Sequence, residues 1–69
     1  MKLSARNQIS GKVLSIKEGV VNASVKVDIG GGNIISSTIT LEAVKDLDLK
    51  VGSDVTTVIK SSSVLLMVE

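Results

Sequence analysis

Val21-Asn22-Ala23-Ser24-Val25-Lys26-Val27-Asp28-Ile29 runs into Gly30-Gly31-Gly32-Asn33 and then Ile34-Ile35-Ser36-Ser37-Thr38-Ile39-Thr40-Leu41. In the first run Val21, Ala23, Val25, Val27 and Ile29 alternate with polar residues, the period-two pattern of a half-buried strand. The glycines tolerate the positive φ that tight hairpin turns require. Alternation resumes with Ile35, Ser37, Ile39 and Leu41 on one face. The two runs therefore form a β-hairpin.

Working outward, a first strand is expected from about Asn7 to Ile16, with Ile9, Gly11 and Val13 in alternation. Val13-Leu14 breaks the pattern and suggests a bulge or burial on both faces. Lys17-Glu18-Gly19 reads as a turn. Glu42 to Leu47 has the spacing of a short helix, with Val44 and Leu47 inward and Thr40 placed to cap it. Lys50 to Asp54 is a loop. Two last strands are expected near Val55–Ile59 and Val64–Val68, separated by Ser61-Ser62-Ser63. Five short strands with one small helix before the fourth resemble an all-β, five-stranded Greek-key barrel of the OB type. Closure would also remove exposed strand edges.

The chain has 69 residues, enough for one domain, expected over residues 1–69. A domain this short is marginal on its own and usually needs disulfides, a metal or oligomerisation. Cys, His, Phe, Trp and Tyr are all absent. Disulfides and soft metal sites are thereby excluded, and the core must be aliphatic. An oligomer is the expected remedy, because subunit interfaces add buried apolar area. Eight Lys plus Arg stand against seven Asp plus Glu, which gives no polyelectrolyte footprint for nucleic acid. No apolar h-region follows Lys2, and no apolar run approaches the roughly 20 residues that span a bilayer. The expectation is a cytoplasmic protein with no membrane partner.

An enzyme is not expected. General acid–base catalysis calls most often on His or paired carboxylates, and the acids here fall in turns or on polar faces. Lys60 beside Ser61 is the one pairing that suits a nucleophile, and it ranks below a structural or binding role. Gly30-Gly31-Gly32 is not followed by the helix and Lys-Ser/Thr pair of a phosphate loop. Single-strand nucleic-acid binding on such a barrel relies on aromatic stacking, which this chain does not have.

Two segments carry the remaining chemistry. Ser4-Ala5-Arg6-Asn7-Gln8 and Lys60-Ser61-Ser62-Ser63 each set one cation among hydroxyl or amide groups, without a carboxylate. Arg offers a planar fork of donors and Lys a point charge. Such a set suits an oxyanion that is held and not transformed. The plain alternative is an exposed arginine and a polar serine turn.

The whole chain also resembles the molbindins (Mop proteins), stand-alone forms of the molybdate-binding TOBE domain. The resemblance is carried by Ser4-Ala5-Arg6-Asn7-Gln8, Gly11-Lys12-Val13, Gly19-Val20-Val21, Ile39-Thr40-Leu41-Glu42-Ala43-Val44, Leu47…Leu49…Val51-Gly52 and Val58-Ile59-Lys60-Ser61. It runs in register from about Leu3 to Leu66. It implies an OB-like barrel assembled as a hexamer, a trimer of dimers, with strand exchange near the N-terminus. It implies binding of molybdate, and also tungstate, at subunit interfaces for intracellular storage or homeostasis, with no organic cofactor. By similarity to molybdate-responsive regulators, Ser4 and Arg6 of one chain would meet Thr40, Ala43, Lys60 and Ser61 of its partner. The regulators have Ser at the Ala43 position, so Ala43 can act only through its backbone. Ser61, often Ala in relatives, would act through its N–H. Sites on the threefold axis would involve Val20, Asn22 and Ala23. A different class of role is a detached regulatory or interaction module of a molybdate transporter or regulator.

Overall fold

The computed structural model describes residues 6–69. Ser4 therefore lies outside the described residues. Four strands form one antiparallel sheet in the order β3-β2-β1-β4: β1 is Asn7–Glu18, β2 Asn22–Gly30, β3 Asn33–Thr40 and β4 Asp54–Ile59. The helix α1, Leu41–Asp46, follows β3 directly, and a single 3₁₀ turn at Ser61–Ser63 follows β4.

The central hairpin is β2 and β3, paired from Asn22↔Thr40 to Gly30↔Asn33. Its turn has φ of 94°, 63° and 78° at Gly30, Gly31 and Gly32, a region that only glycine enters freely. The long strand β1 changes partner midway. Asn7 to Lys12 pair with β4, whereas Lys12 to Glu18 pair with β2. The register shifts between Val13 and Ser15, so the bulge expected at Val13-Leu14 is present. There the loop before β4 takes over the backbone of Val13: its N–H donates to the Ser53 carbonyl at 2.9 Å and its carbonyl accepts from Gly52 at 2.8 Å. Gly11 lies where β1 crosses close over β2; a Cβ there would stand 2.6 Å from the Asp28 carbonyl oxygen.

Val13, Val25 and Val27 form the core, with Ile16, Ile29, Ile39, Leu49 and Val55 packed against it. Among the described residues only Val13, Ala23, Val25, Val27 and Val44 are fully buried hydrophobics. At about 1.5–3 kcal/mol for a buried valine, this core is thin for a lone chain.

Four expectations are corrected. The described residues form four strands, not five, and the sheet is open. Its two edges, β3 and β4, flank a groove of about 380 Å³ whose walls include Val25, Ile35, Ile39, Val55 and Ile59. The expected fifth strand, Val64–Val68, takes no regular structure. A strand needs a hydrogen-bonded neighbour, and this segment has none among the described residues; Leu65, Leu66, Met67 and Val68 are each at least 90% exposed. Leu47, expected inward, is 66% exposed, because it lines that open groove and not a closed core. Val21 is likewise exposed, since pairing begins one residue later at Asn22.

Candidate functional site

The β1–β4 ladder closes with Asn7↔Ile59. One step beyond that pair, on the two neighbouring strands, stand Arg6 and Lys60, both exposed. Arg6 immediately precedes β1 and Lys60 immediately follows β4, so in sequence each cation adjoins one member of the closing pair. Neither forms an ion pair among the described residues; the pairs present are Lys12–Asp54 at 2.7 Å and Lys50–Asp48 at 3.9 Å. Two uncompensated positive charges at one strand end attract an anion.

Polar atoms reinforce this end of the ladder. The Asn7 Nδ2 donates to the Ile59 carbonyl at 3.3 Å, and the Thr57 hydroxyl donates to the Ile9 carbonyl at 3.0 Å. Lys60 then opens the 3₁₀ turn, in which the Ser63 N–H donates to the Lys60 carbonyl at 2.9 Å. Ser61, Ser62 and Ser63 are exposed, so their hydroxyls face solvent beside Lys60.

Thr40 occupies the expected capping position of α1. Its Oγ1 accepts from the Ala43 N–H at 3.0 Å. A hydroxyl that accepts in a cap still has its own proton to donate. The same bond engages the backbone N–H of Ala43, a residue expected to act only through its backbone. Ile39 and Ile59 line opposite walls of the groove; Thr40 and Lys60 follow them immediately in sequence.

The residues suggested for a second site separate. Val20 is 95% exposed and Ala23 is 2% exposed. Asn22 and Ala23 border a shallow depression with Lys17, Ser24 and Thr38, to which Val20 does not contribute. Sequence reasoning did not single out Asn7 or Thr57; polar side chains at strand positions give little signal until the ladder register is known. Among the described residues no group of three His, Cys, Asp or Glu is placed to hold a metal ion. Among the described residues no helix is long and apolar enough to cross a membrane.

The sequence profile of the TOBE domain matches residues 3–66. A probable molybdenum-pterin-binding protein of Haemophilus influenzae is 58% identical over 69 residues, the full length of both chains. Among solved structures, a molybdate-binding protein from Sporomusa ovata superposes with a TM-score of 0.91 at 34% identity, over 97% of this chain and 98% of that one. MopII from Clostridium pasteurianum, in an apo form, gives a TM-score of 0.89 at 46% identity, over 97% of this chain and 100% of that one.

Proposed function

The chain belongs to the TOBE-domain family, in its molbindin branch, and from that premise we propose that it binds molybdate, and tungstate with it, as a cytoplasmic store or buffer of the oxyanion. The observation that carries this reading is that Arg6 and Lys60, which flank the closing Asn7↔Ile59 pair, are uncompensated by any carboxylate among the described residues. Charge-assisted hydrogen bonds from such groups are about twice as strong as neutral ones. The hydroxyl of Thr40 and the backbone N–H of Ser61 add donors, and Ser4 would add another.

The site is shared between subunits of a hexamer. Support for assembly comes from surface. The chain exposes 5704 Å², whereas a compact monomer of its mass exposes about 4,100 Å². The excess is of the order buried in a standard protein–protein interface. Two strand edges unpaired among the described residues, the groove between them and the exposed apolar segment Val64–Val68 are complementary features for strand exchange with a second copy. Ligand and assembly are then linked: molybdate at about 100 times its dissociation constant stabilises the assembled form by about 2.7 kcal/mol per site.

Isothermal calorimetry with molybdate, using sulfate as the control anion, tests the reading. Saturable heat with molybdate and none with sulfate at the same concentration supports it. Absence of molybdate binding at micromolar ligand refutes it.

A further inference from the structure

Resting on the shared site proposed above, we infer that residues 60–63 are a strand-exchange hinge. The hinge bars Val64–Val68 from its own groove and commits that segment to the groove of a second copy. It thereby holds Lys60 and Ser61 at the subunit boundary. Length does not prevent closure within one chain. Hairpin loops of two to five residues are common, and the outer edge of β4 is unpaired among the described residues. The turn itself prevents it. Two-residue hairpin loops need positive φ, because right-handed turns splay the flanking strands. The chain meets that need where it does close a hairpin, with φ of 94°, 63° and 78° at Gly30, Gly31 and Gly32. No residue from Lys60 to Val64 has positive φ. Ser61–Ser63 form a 3₁₀ turn in which the Ser63 N–H donates to the Lys60 carbonyl at 2.9 Å and the Val64 N–H to the Ser61 carbonyl at 3.2 Å. Lys60 and Val64, on either side of it, are extended. The chain thus leaves β4 redirected and unpaired.

The segment's own sequence calls for a second copy. In β2 buried positions alternate with exposed ones, the pattern of a strand with one wet face. Val64, Leu65, Leu66, Met67 and Val68 are apolar at every position, and the last four are at least 90% exposed. In a fold-back with Ser62 and Ser63 as the loop, Leu66 falls opposite Ile59 and Val68 opposite Thr57, both of which line the groove. Leu65 and Met67 then stay in water. A strand covered on both faces buries all five, which a second copy supplies and a closed monomer does not. Exchange of an identical element is a low-cost route to such a dimer.

The experiment gives the hinge the loop chemistry of a closed hairpin. Ser62→Asn/Ser63→Gly supplies the residue pair of a type I′ turn and leaves Lys60 and Ser61 in place. The control, Ser62→Ala/Ser63→Ala, removes the same hydroxyls and keeps a right-handed turn. Native mass and backbone amide exchange are read without ligand. The wild type and the control are expected as oligomers whose Val64–Val68 amides exchange at least about tenfold more slowly than in the unfolded chain. The hairpin variant is expected as a monomer with those amides still protected, now by its own β4. A wild-type monomer, a wild-type oligomer with these amides unprotected, or a hairpin variant of wild-type mass overturns the inference. If the hairpin variant does not fold, insertion of Gly-Gly between Ser62 and Ser63 permits the reversal by length, and the same two readings decide. Molybdate is added last. The monomeric variant is expected to bind it at least about tenfold more weakly than the wild type; equal affinity overturns the placement of Lys60 and Ser61 at the boundary. A wild-type protein that does not bind molybdate overturns the proposed function, whereas mass and amide exchange judge the hinge separately.

Discussion

Replacing Lys60 by Gln keeps most of the stem and removes the charge. Two unlike effects follow, and both come from the placement of Arg6 and Lys60 one step beyond the last β1–β4 pair. Both residues are exposed, so the dielectric is close to that of water. A dianion about 4 Å from one cation then gains about 2 kcal/mol, or roughly thirtyfold in affinity. Screening at 0.1 M salt, where the Debye length is about 10 Å, reduces this to about tenfold. At 1 M salt the Debye length falls to about 3 Å and the loss shrinks to roughly threefold. The ligand-free protein moves the other way. Removing one of two adjacent like charges relieves a repulsion of about 0.4 kcal/mol at 0.1 M salt. Lys60→Gln is thus expected to bind molybdate about tenfold more weakly while the apo protein becomes slightly more stable. Calorimetry at the two salt concentrations, with urea unfolding of the apo form, measures both. Unchanged affinity refutes the site; a loss that does not diminish with salt refutes its electrostatic basis.

Three other outcomes are expected. Arg6→Gln and Lys60→Gln chains, unfolded together in equal amounts and reassembled at random, recover roughly a quarter of the sites of the wild type when the cations of one site come from different subunits, and none when they come from one chain; molybdate titration of the mixed oligomer distinguishes these. Thr40→Ala removes the cap of α1, at a cost of about 1 kcal/mol in thermal or urea unfolding, and weakens molybdate binding, whereas Thr40→Ser retains most of both. Gly11→Ala places a methyl 2.6 Å from the Asp28 carbonyl oxygen and 2.7 Å from Val27 Cγ1, and is expected to destabilise by about 1–3 kcal/mol in urea unfolding.

Local features of the fold were legible because their physics is local. Burial at Ala23, Val25 and Val27 follows the period of the chain. The glycine turn follows from φ, and the Thr40 cap from its spacing to Ala43. The failures concern pairing. Val64–Val68 has the composition of a strand, but composition does not say which edge it joins, or whether that edge belongs to the same chain. Leu47 was assigned inward because helix spacing does not reveal that the groove it faces is open. The donor segments stood out by composition alone. Their juxtaposition depends on the β1–β4 register, a contact between opposite ends of the chain that no short-range pattern encodes. The hydrogen bond from Asn7 to Ile59 was invisible for the same reason.

Native mass spectrometry of the purified protein, titrated with molybdate, tests the interface site most directly. A molybdate site shared between subunits predicts an oligomer, a hexamer on the present proposal, that gains mass in steps of one bound molybdate and withstands dissociation better when loaded. A monomer at every protein concentration, or an oligomer that takes up no more molybdate than sulfate, would contradict it.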